Sequence, residues 1–126
     1  MRVLIADDQK SVGTSLAELV SHCQHEVVEV VGSGLEAIHA YNKHKPDVVL
    51  MDYRMSRLNG ATACRNILAK NPDARVILVT GSSELSELSQ SGAMTILAKP
   101  LSFKDLCAAL DAAKRPATIV PAQAAA

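Results

Sequence analysis

Aromatic residues are nearly missing from this chain: of 126 residues, one is Phe, two are Tyr and none is Trp. That leaves no platform on which bases could stack and no aromatic clamp for a flat cofactor. Net charge is missing too. Thirteen Lys and Arg balance 13 Asp and Glu, so nothing electrostatic favours nucleic acid or an anionic membrane as a direct partner. No run of about 18 apolar residues exists, so no membrane-spanning helix is expected. Met1-Arg2-Val3-Leu4-Ile5-Ala6 reaches Asp7-Asp8 too soon for a secretory signal peptide, and the expected location is the cytoplasm. Cysteines are few. Cys23, Cys64 and Cys107 are odd in number, far apart and without a C-x-x-C, which reads as three reduced thiols. His22, His25, His39 and His44 lack metal-ligand spacing and read as surface residues. What is plentiful is apolar side chains, 48% against 21% charged, enough for one folded domain.

The apolar pattern alternates between two periods. Val3-Leu4-Ile5-Ala6 is a short run that reads as a strand buried on both faces. Val12, Leu16, Leu19, Val20 and Cys23 then recur at helical spacing. Residues 26–31, EVVEVV, read as a second strand. Ser33 with Glu36 three later forms a capping box, and Leu35, Ile38 and Tyr41 read as the inner face of a second helix. A third strand, 47–51, stops at Asp52. Asn59-Gly60 caps a third helix with Ala61, Cys64, Ile67 and Leu68 on its stripe. A fourth strand, 75–79, stops at Thr80-Gly81. Residues 82–91 carry five serines and read as a weak fourth helical segment. A fifth strand, 94–98, precedes Lys99-Pro100. Ser102 caps a final helix with Phe103, Leu106, Cys107 and Leu110 inward. From residue 115 the amphipathic period is lost, so 1–114 reads as the domain and 115–126 as a flexible tail or truncated linker.

Strand and helix therefore alternate five times. That order implies an α/β fold, a doubly wound parallel sheet with right-handed crossovers. Such sheets bind ligands beyond the carboxyl ends of their strands, where the strand order reverses. At those ends stand Asp7-Asp8, Asp52, Thr80 and Lys99. In the common winding 2-1-3-4-5 the first and third strands are neighbours, so three carboxylates converge. Like charges that close repel, and a divalent cation relieves the conflict. Hard oxygen ligands suit Mg²⁺. A Thr hydroxyl and a Lys ammonium beside them suit a transferring phosphoryl group.

The chain resembles the CheY-like receiver domain of bacterial two-component response regulators, over about residues 2–114. The matching pieces are Asp7-Asp8, Asp52 within Asp-Tyr-Arg-Met, Gly60, Thr80-Gly81, Gly92-Ala93 and Lys99-Pro100. The resemblance implies that Asp52 accepts a phosphoryl group from a sensor histidine kinase or a histidine phosphotransfer protein, giving an aspartyl phosphate. It implies a Mg²⁺ site built from Asp7, Asp8, Asp52 and the Arg54 backbone carbonyl, with Thr80 and Lys99 on phosphoryl oxygens. It also implies a cis Lys99–Pro100 bond, self-assisted phosphorylation without turnover of an external substrate, and phosphorylation-dependent binding of a protein target or a second copy.

Three departures stand out. Ser56 replaces a Pro that the family usually carries after the acceptor, and Ile96 replaces an aromatic residue before the Lys. The stretch between Thr80 and Lys99 is shorter than usual by about one helical turn, which falls in the fourth helix. Three readings from other classes compete. A haloacid-dehalogenase-like phosphatase needs Asp-x-Asp after its first strand, where this chain has Asp7-Asp8-Gln9. A flavodoxin-like electron carrier needs a hydroxyl-rich loop and aromatics there. A docking module of the same fold that is never phosphorylated would not need the full acidic set.

Overall fold

A computed structural model describes residues 1–81 and 88–114 of the chain. The strands are β1 (Arg2–Ala6), β2 (Glu26–Val31), β3 (Val48–Asp52), β4 (Val76–Thr80) and β5 (Thr95–Ala98). The helices are α1 (Lys10–His22), α2 (Gly34–His44), α3 (Gly60–Lys70) and α4 (Phe103–Lys114). Residues 82–87, most of the serine-rich segment, and the tail from 115 lie outside the described residues.

All strands are parallel, in the order β2-β1-β3-β4-β5. The three central strands are the most apolar runs, and period-two alternation divides their side chains between two cores. Leu4, Ala6, Val49, Met51, Val76 and Leu78 face one way, against Ala37, Tyr41, Ala61, Cys64 and Ile67 of α2 and α3. Val3, Ile5, Val48, Leu50, Ile77 and Val79 face the other way, against Leu16 and Val20 of α1 and Leu106 and Leu110 of α4. A strand covered on both sides has no polar face to show, which is why these runs are continuous.

The caps follow the sequence signals. The Glu36 N–H donates to Ser33 Oγ (3.1 Å), while Glu36 Oε1 accepts from the Gly32 N–H (3.2 Å). The Thr62 N–H donates to Asn59 Oδ1 (2.9 Å), and the Asp105 N–H to Ser102 Oγ (3.0 Å). The Lys99–Pro100 peptide bond is cis.

Four expectations are corrected. Cys23 and Cys107 are not reduced: they form a disulfide, 84 positions apart in sequence with Cα atoms 5.5 Å apart. Spacing could not show this, because the fold alone brings the end of α1 beside α4. Only Cys64 is a free, buried thiol. His25 is buried rather than superficial. Its Nδ1 lies 3.1 Å from the amino terminus of Met1 and its Nε2 lies 3.6 Å from Asp111 Oδ1. Leu35 and Phe103 are not on inner faces; they are 58% and 46% exposed. In α2 the buried face is instead Gly34, Ala37, Ala40 and Tyr41. Small residues fit there because a Cβ on Gly34 would lie 2.6 Å from the Leu58 carbonyl oxygen.

Candidate functional site

Chain topology creates the site. The connections from β1 lead to one side of it and those from β3 to the other, so a crevice opens beyond the ends of these two neighbouring strands. Asp7 and Asp8 follow β1 directly and Asp52 is the last residue of β3. Carboxylate oxygens of all three lie within 4.8 Å of one another. Asp7 and Asp52 are buried, and Asp8 is exposed.

Lys99 enters from the end of β5. Its Nζ is 3.0 Å from Asp52 Oδ1 and 3.9 Å from Asp7 Oδ2. The Lys99 N–H donates to the Thr80 carbonyl (2.8 Å), which ties the residue after β5 to the end of β4. Burial pushes the Asp52 carboxyl above the usual carboxylate range, and the negative charges of Asp7 and Asp8 push the same way. The hydrogen bond and charge of Lys99 act against them.

Thr80 is buried at the carboxyl end of β4, next in chain after Val79, which pairs with Asp52 across the sheet. Arg54 lies two residues past Asp52 and lines the mouth, a cavity of about 410 Å³ shared with Asp8, Gln9, Asp52, Gly81 and Lys99. The residues expected at this rim are therefore assembled on it: Asp7, Asp8, Asp52 and Lys99 by direct proximity, Thr80 and Arg54 by position. Ile96 sits one strand away, half-buried against the α2/α3-side core.

Two features escaped the sequence reading. Gln9 lines the cavity, and its N–H donates to Asp7 Oδ1 (2.9 Å). The signal was available, since an Asp accepting from the N–H two residues on is the usual Asx turn. Gly60 is more than a cap. Its N–H donates to the Tyr53 carbonyl (2.7 Å), and a Cβ there would lie 2.3 Å from the Asp52 carbonyl oxygen. Only a glycine lets α3 start this close to the residue that ends β3.

The donor set fits a hard divalent cation. Three carboxylates converge, and Asp7 Oδ2 is buried without a hydrogen-bond partner. A buried carboxylate oxygen so placed costs free energy unless something cationic satisfies it. Lys99 at 3.9 Å does so only in part.

Known proteins share this arrangement of chain. Residues 3–111 match the family described as response regulator receiver domain. The transcriptional regulatory protein PdtaR of Mycobacterium tuberculosis is 37% identical over 114 residues, 89% of this chain and 56% of that protein. This chain thus spans little more than half of that relative's length. The chemotaxis protein CheY of Listeria monocytogenes is 30% identical over 118 residues, 91% of this chain and 99% of that one. Among solved structures, a chain of the CheX–CheY–BeF3–Mg²⁺ complex from Borrelia burgdorferi superposes with a TM-score of 0.84 at 26% identity, covering 92% of this chain and 90% of that one.

Proposed function

Because the chain belongs to the response regulator receiver family, we propose that it acts in two-component signal transduction by accepting a phosphoryl group on Asp52. The donor is the phosphohistidine of a sensor histidine kinase or of a histidine phosphotransfer protein. One observation carries the reading: Lys99 Nζ, 3.0 Å from Asp52 Oδ1, faces the same crevice as three convergent carboxylates. A carboxylate nucleophile, a cation beside it and an open mouth are the parts that phosphoryl transfer needs.

The chain's own residues divide the work. An Asp52 carboxylate oxygen attacks phosphorus, and the phosphorus–nitrogen bond of the donor breaks with its electrons leaving on the imidazole. Lys99 offsets negative charge on the phosphoryl oxygens, and the Thr80 hydroxyl orients another of them. Asp7, Asp8, Asp52 and the Arg54 carbonyl would hold Mg²⁺. When bound, Mg²⁺ neutralises the clustered carboxylates and screens the incoming phosphate. The similar chain from the CheX–CheY–BeF3–Mg²⁺ complex supports this choice of ion.

The unit that does this is residues 1–114, with 115–126 as a tail or linker. It works in the cytoplasm, where kinases form the phosphohistidine. It turns over no external substrate, and its output is a change in binding to a protein target or to a second copy. Neither the phosphatase reading nor the unphosphorylated docking module is favoured, given the family match and the complete acceptor set.

Acetyl phosphate with Mg²⁺ tests the proposal. The intact protein should gain the mass of one phosphoryl group, and Asp52→Asn should gain none. Labelling of that variant to the same extent at another residue rejects Asp52 as the acceptor.

A further inference from the structure

The last helix is held to the α1–β2 connection at two successive turns. Cys23, the C-cap of α1, is bonded to Cys107 in the second turn of α4. One turn on, Asp111 approaches His25 at 3.6 Å, yet His25 Nε2 makes no hydrogen bond. The polar attachment is loose, so the covalent one dominates. We propose that the Cys23–Cys107 pair is a reversible thiol–disulfide switch that sets how firmly α4 is held against α1.

Four observations support a switch over a permanent staple. Both cysteines are only half-buried, so the bond is not sealed inside a core. The third thiol, Cys64, is buried in the core on the opposite face of the sheet and cannot exchange with them. The bond is not the only attachment of α4: apolar cores fill both faces of the sheet, and Arg75 Nη1 donates to the Ala113 carbonyl (2.8 Å) near the end of the helix. Finally, in a compartment buffered by thiols, disulfides are mostly transient and regulatory. That last point rests on the cytoplasmic location proposed above; the first three do not.

The position of the bond gives the switch something to control. α1 begins two residues after Asp8, and α4 begins four residues after Lys99. Between them lies a mostly apolar cavity of about 490 Å³, walled by Val12 and Leu16 from α1, and by Lys99, Pro100 and Leu101 from the approach to α4. Tying the two helices together fixes that cavity and the stem of Lys99. Releasing α4 lets both adjust.

The chemistry balances with a dithiol as reductant. One thiolate of the dithiol attacks a protein sulfur, the Cys23–Cys107 bond breaks and a mixed disulfide forms. The second thiolate then displaces the protein sulfur. Two electrons and two protons end on Cys23 and Cys107, and the dithiol ends as its own disulfide. A low-molecular-weight disulfide reverses the exchange.

The test uses the full chain in graded mixtures of reduced and oxidised dithiothreitol. Thiols are counted by alkylation and mass spectrometry, and hydrogen exchange is followed over residues 103–113. The pair should open as one two-electron step while Cys64 stays unlabelled. Exchange in 103–113 should quicken by about tenfold on reduction, as expected for local release of one helix. Cys23→Ser should exchange like the reduced wild type and ignore the reductant. Separate alkylation of Cys23 and Cys107 under oxidising conditions would overturn the proposal. So would identical exchange in the two states, or global unfolding on reduction, which would make the bond a structural staple. No readout involves phosphoryl uptake, so failure here and failure of the Asp52 assignment are told apart.

Discussion

The Lys99 ammonium reaches across from the end of β5 to lie 3.0 Å from the Asp52 carboxylate at the end of β3, with β4 between the two strands. It is a built-in cation at a site whose carboxylates also suit a divalent one. Lys99 and a divalent cation held there would therefore compete in part for the same negative charge.

Lys99→Ala should separate these effects. Divalent-cation affinity should rise a few-fold, because one competing positive charge is gone. Phosphoryl uptake should persist at a lower rate, and partner binding by the phosphorylated form should weaken. Metal titration beside acetyl phosphate labelling measures the first two. Weaker metal binding in the variant would show that Lys99 organises the carboxylates and does not compete with the ion.

Asp52→Asn should stabilise the protein in metal-free buffer at pH 7. Burial and the neighbouring acids raise the Asp52 pKa, so the folded state binds this proton more tightly than the unfolded chain. Stability from this group is therefore full below the ordinary carboxylate pKa and is lost as pH rises through the raised value. Asn carries no charge and escapes that loss. A Tm rise of about 3 °C, the scale of roughly 1 kcal/mol in a domain of this size, is expected at pH 7. It should shrink towards pH 3 and when Mg²⁺ stabilises the wild type. A drop in Tm at pH 7 would contradict the assigned cost.

Gly60→Ala should damage fold and site together. Its Cβ would meet the Asp52 carbonyl at 2.3 Å and the Tyr53 Cα at 3.0 Å, both backbone atoms that cannot swing aside. A loss of about 2–3 kcal/mol in urea unfolding is expected for such overpacking, with weaker Mg²⁺ binding. Wild-type stability would mean that α3 can start further from β3 at no cost.

Cys64 should be inert in the folded protein. Burial raises its thiol from 9.0 to about 11, against smaller opposing effects of Ser91 and Arg65. At pH 8 iodoacetamide should label it about 100-fold more slowly than in urea, following the thiolate fraction. Folded stability should fall as pH climbs through the window from 9 to 11, because the unfolded thiol ionises first. Rapid native labelling would mean that the α3 side of the core opens readily.

Much of this was legible in the residues. Three central strands announced themselves as apolar runs because both of their faces are covered, and their polar endings at Asp7, Asp52 and Thr80 marked one rim. Ser33, Asn59 and Ser102 signalled helix starts through short-range side-chain bonds, which need no tertiary context. Helix faces were less legible. Leu35 and Phe103 fit a hydrophobic stripe but lie outward; in α2 the start of the buried face is taken by Gly34, where a Cβ would lie 2.6 Å from the Leu58 carbonyl oxygen.

What the sequence determined by itself was local: the period of each segment, its caps, the strand-helix alternation and the kinds of group that end each strand. Tertiary structure alone decided which distant groups meet. Cys23 and Cys107 are 84 positions apart and share no pattern; His25 looks like any loop histidine until α4 and the amino terminus close over it. The reach of Lys99 to Asp52 depends on strand order, since the winding 2-1-3-4-5 sets β4 alone between β3 and β5. Hydrogen bonds and side-chain periods act over a few residues, whereas packing helices onto both faces of the sheet acts over the whole chain, and that packing chose these partners.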